Sequence, residues 1–150
     1  MKFRFVWIGK TKEKNWRALQ TEYLQRLSHF ASHLITEIKE SQAHETVEIE
    51  GRRIIAALPQ NAFVVLLDVT GKQFGSHELA NQVKNWQNRA MREIVFIIGG
   101  QNGVSGEVAQ KADLRVSLSK MTLTHEAARV LLIEQLYRAF TIINNFPYQK

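Results

Sequence analysis

Residues 94–106 read IVFIIGGQNGVSG, an unbroken apolar run that breaks into a polar turn rich in glycine. Ile94–Ile98 has no polar position, which is the pattern of a strand covered on both sides, as in a parallel sheet flanked by helices. Phe63-Val64-Val65-Leu66-Leu67 is a second run of this kind, ending at Asp68 with Gly71 close behind. These two central strands set the reading of the rest of the chain.

Toward the N-terminus, Phe3, Phe5 and Trp7 alternate with Lys2 and Arg4, so residues 2–8 predict a half-buried strand that Gly9 ends. Trp16, Leu19, Tyr23, Leu27 and Phe30 recur at steps of three and four and predict a helix from about Asn15 to Ala31. A strand near Leu34–Ile38, a polar loop over 40–46 and a helix from about Val47 to Leu58, stopped by Pro59, follow. Ser76 is placed as the cap of the next helix, with Leu79, Val83, Trp86 and Ala90 on one face. Beyond the glycines, Ser105 caps a short helix with Glu107 in its first turn, and Leu114–Leu118 reads as a strand. Thr124 caps a long last helix carrying Ala128, Leu131, Leu132, Leu136, Phe140 and Ile143. Strands alternating with helices predict an α/β fold: one domain over residues 1–150, with a mainly parallel sheet flanked by helices.

Twenty basic against fourteen acidic residues give a net charge of +6, the balance of a surface that meets a polyanion, although no run of like charges concentrates it. The absence of cysteine excludes disulfides, thiolate metal sites and cysteine nucleophiles, and suits a reducing compartment. No apolar run approaches the roughly 18 residues of a membrane span, and the N-terminus lacks a secretory pattern, so a cytoplasmic protein without membrane attachment is expected.

In parallel sheets ligands sit beyond the carboxyl ends of the strands. Three segments compete for that place, Asp68–Gly71, Gly99–Gly103 and Ser119–Leu123, and together they can form one pocket. The glycine run is not a Walker loop, since no lysine and hydroxyl residue follow it. Nor is it the dinucleotide fingerprint, whose glycines stand at offsets 0, 2 and 5, because Gly99, Gly100, Gly103 and Gly106 stand at 0, 1, 4 and 7. Glycines here allow positive φ and close approach of a ligand or of another segment. A plain strand-to-helix turn is the alternative.

Several stretches taken together resemble one family: Gly9 after the first strand, Glu22-Tyr23-Leu24 with Arg26-Leu27, Leu67-Asp68 with Gly71-Lys72, FIIGGQNGVS, LSKMTLTHEAAR, EQLYRA and the terminal PYQK. The chain resembles the SPOUT methyltransferases, and within them the ribosomal RNA large-subunit methyltransferase H family, from Met1 to Lys150. The resemblance implies a C-terminal deep trefoil knot, a homodimer, and S-adenosylmethionine bound in a bent shape at the knotted loops. It also implies methylation at N3 of a pseudouridine in large-subunit rRNA, on assembled ribosomes. Carried over by motif, Leu67, Gly99, Gly100 and the run Leu118, Ser119, Lys120, Met121, Thr122 and Leu123 surround the cofactor. Gly99 and Gly100 would then leave out side chains that would fill its place.

S-adenosylmethionine carries its own leaving group, so no metal is needed, and the five histidines show no ligand spacing. His125 and Arg129 share a face at the start of the last helix. Arg129 is assigned to orienting an RNA phosphate or offsetting charge on a deprotonated base, with a carbonyl-satisfying arginine as the alternative, and His125 is assigned to RNA. Glu134 and Arg138 form an i,i+4 pair for packing or dimer contact, and Lys10, Lys12 and Lys14 either meet RNA or lie in a solvated turn. The family commonly ends in Tyr-His and a basic residue, where this chain has Tyr148-Gln149-Lys150. An amide hydrogen-bonds but does not take the proton an imidazole takes, so Tyr148 is assigned to holding the base, with Gln149 and Lys150 on the RNA. Two other functions fit the sequence: a weakly active or inactive dimeric RNA-binding module on this scaffold, and a methyltransferase for tRNA.

Overall fold

The computed structural model describes residues 1–148. Its elements run β1 (Lys2–Ile8), α1 (Lys14–Leu27), β2 (Ser32–Ile38), α2 (Val47–Ala56), β3 (Phe63–Gln73), α3 (Ser76–Asn88), β4 (Glu93–Ile98), α4 (Gly106–Lys111), β5 (Leu114–Ser117) and α5 (His125–Ile143). The strands form one sheet in the order β2-β1-β4-β3-β5, with every neighbouring pair parallel.

Side chains divide strictly by strand parity. Phe3, Phe5 and Trp7 of β1, Val65 of β3 and Ile94 and Phe96 of β4 face α1, α3 and α5, against Leu24, Leu27, Val83, Trp86, Leu136 and Phe140. Val6, Val64, Leu66, Val95 and Ile97 face the other way, onto Ile54 of α2 and Val108 of α4. Burial on both faces is why the runs at 63–67 and 94–98 carry no polar position.

Element ends differ from the sequence reading where local bonds outweigh periodicity. Helix α1 stops at Leu27, and its buried residues are Gln20, Leu24 and Leu27, while Leu19 is 38% exposed. Phe30, beyond the helix, still reaches the core by stacking on Phe140 with ring centroids 5.4 Å apart. Gly75, not Ser76, caps α3: its N–H donates to the Glu78 carboxylate at 2.7 Å, and the Ser76 hydroxyl donates instead to Gln135 Oε1. Ala90 lies past α3 at φ +52° and is off its apolar face.

Strand β3 runs to Gln73, six residues past the apolar run, with one irregularity. Val116 of β5 pairs first with Leu67 and again with Lys72, so residues 68–71 bulge from the ladder. Gly71 closes the bulge where a Cβ would stand 2.7 Å from the main chain of Arg115 and Val116. Gly71→Ala should destabilise the protein by about 1–3 kcal/mol, the range for forced overpacking, whereas Gly106→Ala, with open space around its Cβ position, should be neutral or slightly stabilising. Denaturant unfolding of the two variants checks the contrast.

Candidate functional site

Strands β4, β3 and β5 are neighbours, so the segments after Leu67, Ile98 and Ser117 converge at one end of the sheet. A cleft of about 670 Å³ opens among them. Its apolar walls come from Leu66, Leu67, Val116, Leu118, Leu123 and Val104. The volume suits a ligand of cofactor size.

Each segment is shaped by its own bonds. After Leu67, the Asp68 carboxylate accepts from the Thr70 N–H and hydroxyl, each at 2.9 Å. These bonds, with the Arg115 charge nearby, hold its pKa below the usual carboxylate value. After Ile98, the Gly103 N–H donates to the Gly100 carbonyl at 3.0 Å, with Gly103 at φ +75°. In the third segment the Met121 N–H donates to Ser119 Oγ and the Ser117 hydroxyl donates to the Ser119 carbonyl. Among the described residues, 119–123 make no main-chain to main-chain hydrogen bond, so apart from the Met121 N–H and the Ser119 carbonyl their amides and carbonyls are available to a ligand.

Eight of the nine residues assigned to a cofactor from sequence line this cleft: Leu67, Gly99, Gly100, Leu118, Ser119, Met121, Thr122 and Leu123. Lys120, in the same loop, is exposed and does not. Asp68, Val69 and Gln101 also line it; the sequence places their segments, Asp68–Gly71 and Gly99–Gly103, at this pocket but does not assign these three to the cofactor. Gly99 and Gly100 are required by close packing of the protein on itself, not by the room for a cofactor that the sequence suggests. A Cβ on Gly99 would stand 2.8 Å from the Val104 side chain and 3.0 Å from the Gly103 carbonyl, and one on Gly100 would stand 3.2 Å from Glu50 Oε1. Their missing side chains make room for protein.

A second, polar cavity of about 510 Å³ lies beside the cleft, and Gly100, Gln101 and His125 border the two cavities. Arg129 lines it from within the protein, only 2% exposed. Its guanidinium donates to the Ile8 carbonyl at 2.5 Å and to Thr11 Oγ1 at 3.0 Å, and lies 4.8 Å from the centroid of the Trp7 ring. The Thr11 hydroxyl passes the chain of bonds on to Gln20 Oε1. Among the described residues Nε has no hydrogen-bond partner and no carboxylate lies within ion-pair distance of the guanidinium. Burial lowers its pKa, with Glu126, Glu37 and Glu40 acting against the shift from a distance. An arginine still keeps its charge under these conditions, so the cavity is backed by a cation without a paired anion.

Tyr148 lies elsewhere. Its hydroxyl is hydrogen-bonded to Glu134 at 3.0 Å and Tyr23 at 3.3 Å, its ring meets Tyr137 edge-on, and the Arg138 guanidinium lies 4.6 Å from its centroid. Burial, then these two bonds, push its pKa up. Glu134 is nine residues along α5 from His125, about 13 Å at the helical rise, so this phenol does not reach the cleft of its own chain. Gln149 and Lys150 lie outside the described residues. Among the described residues there is no group of three metal-binding side chains and no helix long and apolar enough to cross a membrane.

The family described as "Predicted SPOUT methyltransferase" matches residues 1–149. A protein of Desulfotalea psychrophila named "Ribosomal RNA large subunit methyltransferase H" is 43% identical over the full length of each chain. A Streptococcus pneumoniae protein of the same name is 38% identical, again over all of each chain. In fold, the chain resembles a "probable methylase family protein" from Haemophilus influenzae, with a TM-score of 0.59 at 14% identity, covering 99% of this chain and 70% of that one. With a match over residues 1–149 and full-length relatives at these identities, the chain belongs to the SPOUT methyltransferase family.

Proposed function

We propose that this methyltransferase uses S-adenosylmethionine to methylate N3 of a pseudouridine in large-subunit ribosomal RNA, acting in the cytoplasm on assembled ribosomes as a homodimer. The observation that carries the reading is the pairing of two cavities: an apolar cleft at the ends of three strands, and beside it a polar one backed by the unpaired charge of Arg129. The names of the full-length relatives point to the RNA. The reading includes a trefoil knot formed by the segments that line the cleft.

When bound, S-adenosylmethionine supplies an electrophilic methyl group and its own leaving group. Leu67, Leu118 and Leu123 offer apolar walls for it, and the main chain of 99–103 and 119–123 offers donors and acceptors. The chain's remaining tasks are to place the acceptor nitrogen and to favour its anion. A uracil-type N3 loses its proton only in alkaline solution, and a fixed positive charge near the ring favours the anion; at about 5 Å and an effective dielectric constant near 20 the Coulomb term is about 3 kcal/mol, roughly two pKa units, which is an upper bound because carboxylates line the same cavity. Arg129 can do this without touching the base, because it is held rigidly by Ile8 and Thr11. Tyr148 is proposed to hold the base with Gln149 and Lys150 on the RNA; since it sits away from its own cleft, that role requires the cleft of a second copy.

Transfer of labelled methyl to ribosomes, but not to isolated rRNA or to tRNA, is the expected result of a direct assay. Transfer to tRNA would redirect the reading to that substrate, and cofactor uptake without transfer would overturn it in favour of a dimeric RNA-binding module. Arg129→Gln should leave S-adenosylmethionine binding within about twofold and move the single-turnover pH profile to higher pH by about one to two units, because the acceptor nitrogen then ionises less readily. Rates near neutral pH should fall by about ten- to a hundredfold and recover in alkaline buffer.

A further inference from the structure

The polar cavity has three properties that together specify its occupant. It adjoins the cleft through Gly100, Gln101 and His125, which is where a methyl acceptor must stand. Its rim charges are mostly paired, Lys12 with Glu40 at 2.8 Å and Glu45 with the Arg53 fork, while Arg129 and Glu50 face the cavity as one cation and one carboxylate without an ion-pair partner among the described residues. A phosphate site gathers cations; a balanced wall of donors and acceptors suits an uncharged heterocycle. The third property is Glu50 on α2, nine-tenths buried. Its Oε2 accepts from the Ser41 hydroxyl at 2.8 Å, while Oε1 accepts no hydrogen bond among the described residues and points toward Gly100. A carboxylate oxygen that lines a cavity and has no protein donor is an open acceptor, and a ligand N–H would fill it.

We infer that this cavity receives the target base and that Glu50 distinguishes pseudouridine from uridine by accepting the N1–H of pseudouridine. The inference rests on the substrate reading above. Pseudouridine is joined to its ribose through carbon C5, so N1 keeps its hydrogen, and N1–H and N3 flank one carbonyl. With the sugars superposed, uridine presents a C5–H at the position of that N1–H. The two isomers have the same shape, and a carboxylate facing that edge separates them through one charged hydrogen bond. Ser41 fixes the carboxylate, and the missing Cβ of Gly100 leaves its second oxygen free to face the base.

The test is an NMR titration of the full chain, saturated with S-adenosylhomocysteine, with pseudouridine 5′-monophosphate and with uridine 5′-monophosphate. The wild type should prefer the pseudouridine nucleotide by about tenfold or more. Glu50→Met should bring the ratio to about one by loss of pseudouridine affinity alone, with binding of S-adenosylhomocysteine unchanged. Glu50→Gln, which keeps the shape and one acceptor oxygen, should lower the ratio by about threefold and serves if the methionine variant does not fold. Equal affinities in the wild type, or an unchanged ratio in a folded variant, overturn the assignment. A preserved, Glu50-dependent preference in a protein that methylates no ribosome supports the pocket while removing the enzymatic reading.

Discussion

One β5 residue pairs with two residues of β3, and the rest of the site depends on it. Val116 meets Leu67 and then Lys72, which forces 68–71 out of the ladder and puts Asp68 and Val69 on the rim of the cleft. The second pairing brings the β3 main chain back against Arg115 and Val116 so closely that only glycine fits at 71. Without that return, β3 would end at Leu67, and one wall of the cleft would be an ordinary loop.

A second constraint joins the two ends of the chain. Arg129, near the start of α5, is bonded to Ile8 and Thr11 at the end of β1, and Glu126 accepts the main-chain N–H groups of Lys12 and Glu13. These bonds fix the β1–α1 turn against the helix that follows the 118–123 loop, so the two cavities share a rigid boundary. A buried guanidinium bonded only to neutral oxygens keeps its charge, and Glu126, Glu37 and Glu40 act on it only from a distance.

The fold was legible because two runs, 63–67 and 94–98, carry the signature of strands buried on both faces, and because Ser105 and Thr124 cap their helices as their positions suggest. The register of the apolar face on α1 was not, because Gln20 is buried to meet Thr11, a demand set by a distant strand end. In the site, the motif segments converge as the sequence indicated. Lys120 and Tyr148 fall outside the cleft for reasons that only packing supplies: one side chain turns to solvent, and the other is captured by Glu134 and Tyr137. Glu50 gave no signal at all, since a glutamate on an amphipathic helix reads as solvated until Gly100 and Ser41 are seen beside it.

The strand order has a consequence for how the molecule is made. Strand β1 lies between β2 and β4, so after pairing with β2 its other edge stays bare until residues 93–98 have been synthesised. Strand β3 has no neighbour at all before β4 appears, and Arg129 cannot lock the first turn until most of the chain has emerged. Nascent chains of this topology expose apolar edges for most of their translation, a hazard characteristic of non-local parallel sheets. Early protection then falls to the β1–α1–β2 unit, which is the first part of the sheet that can close as it leaves the exit tunnel.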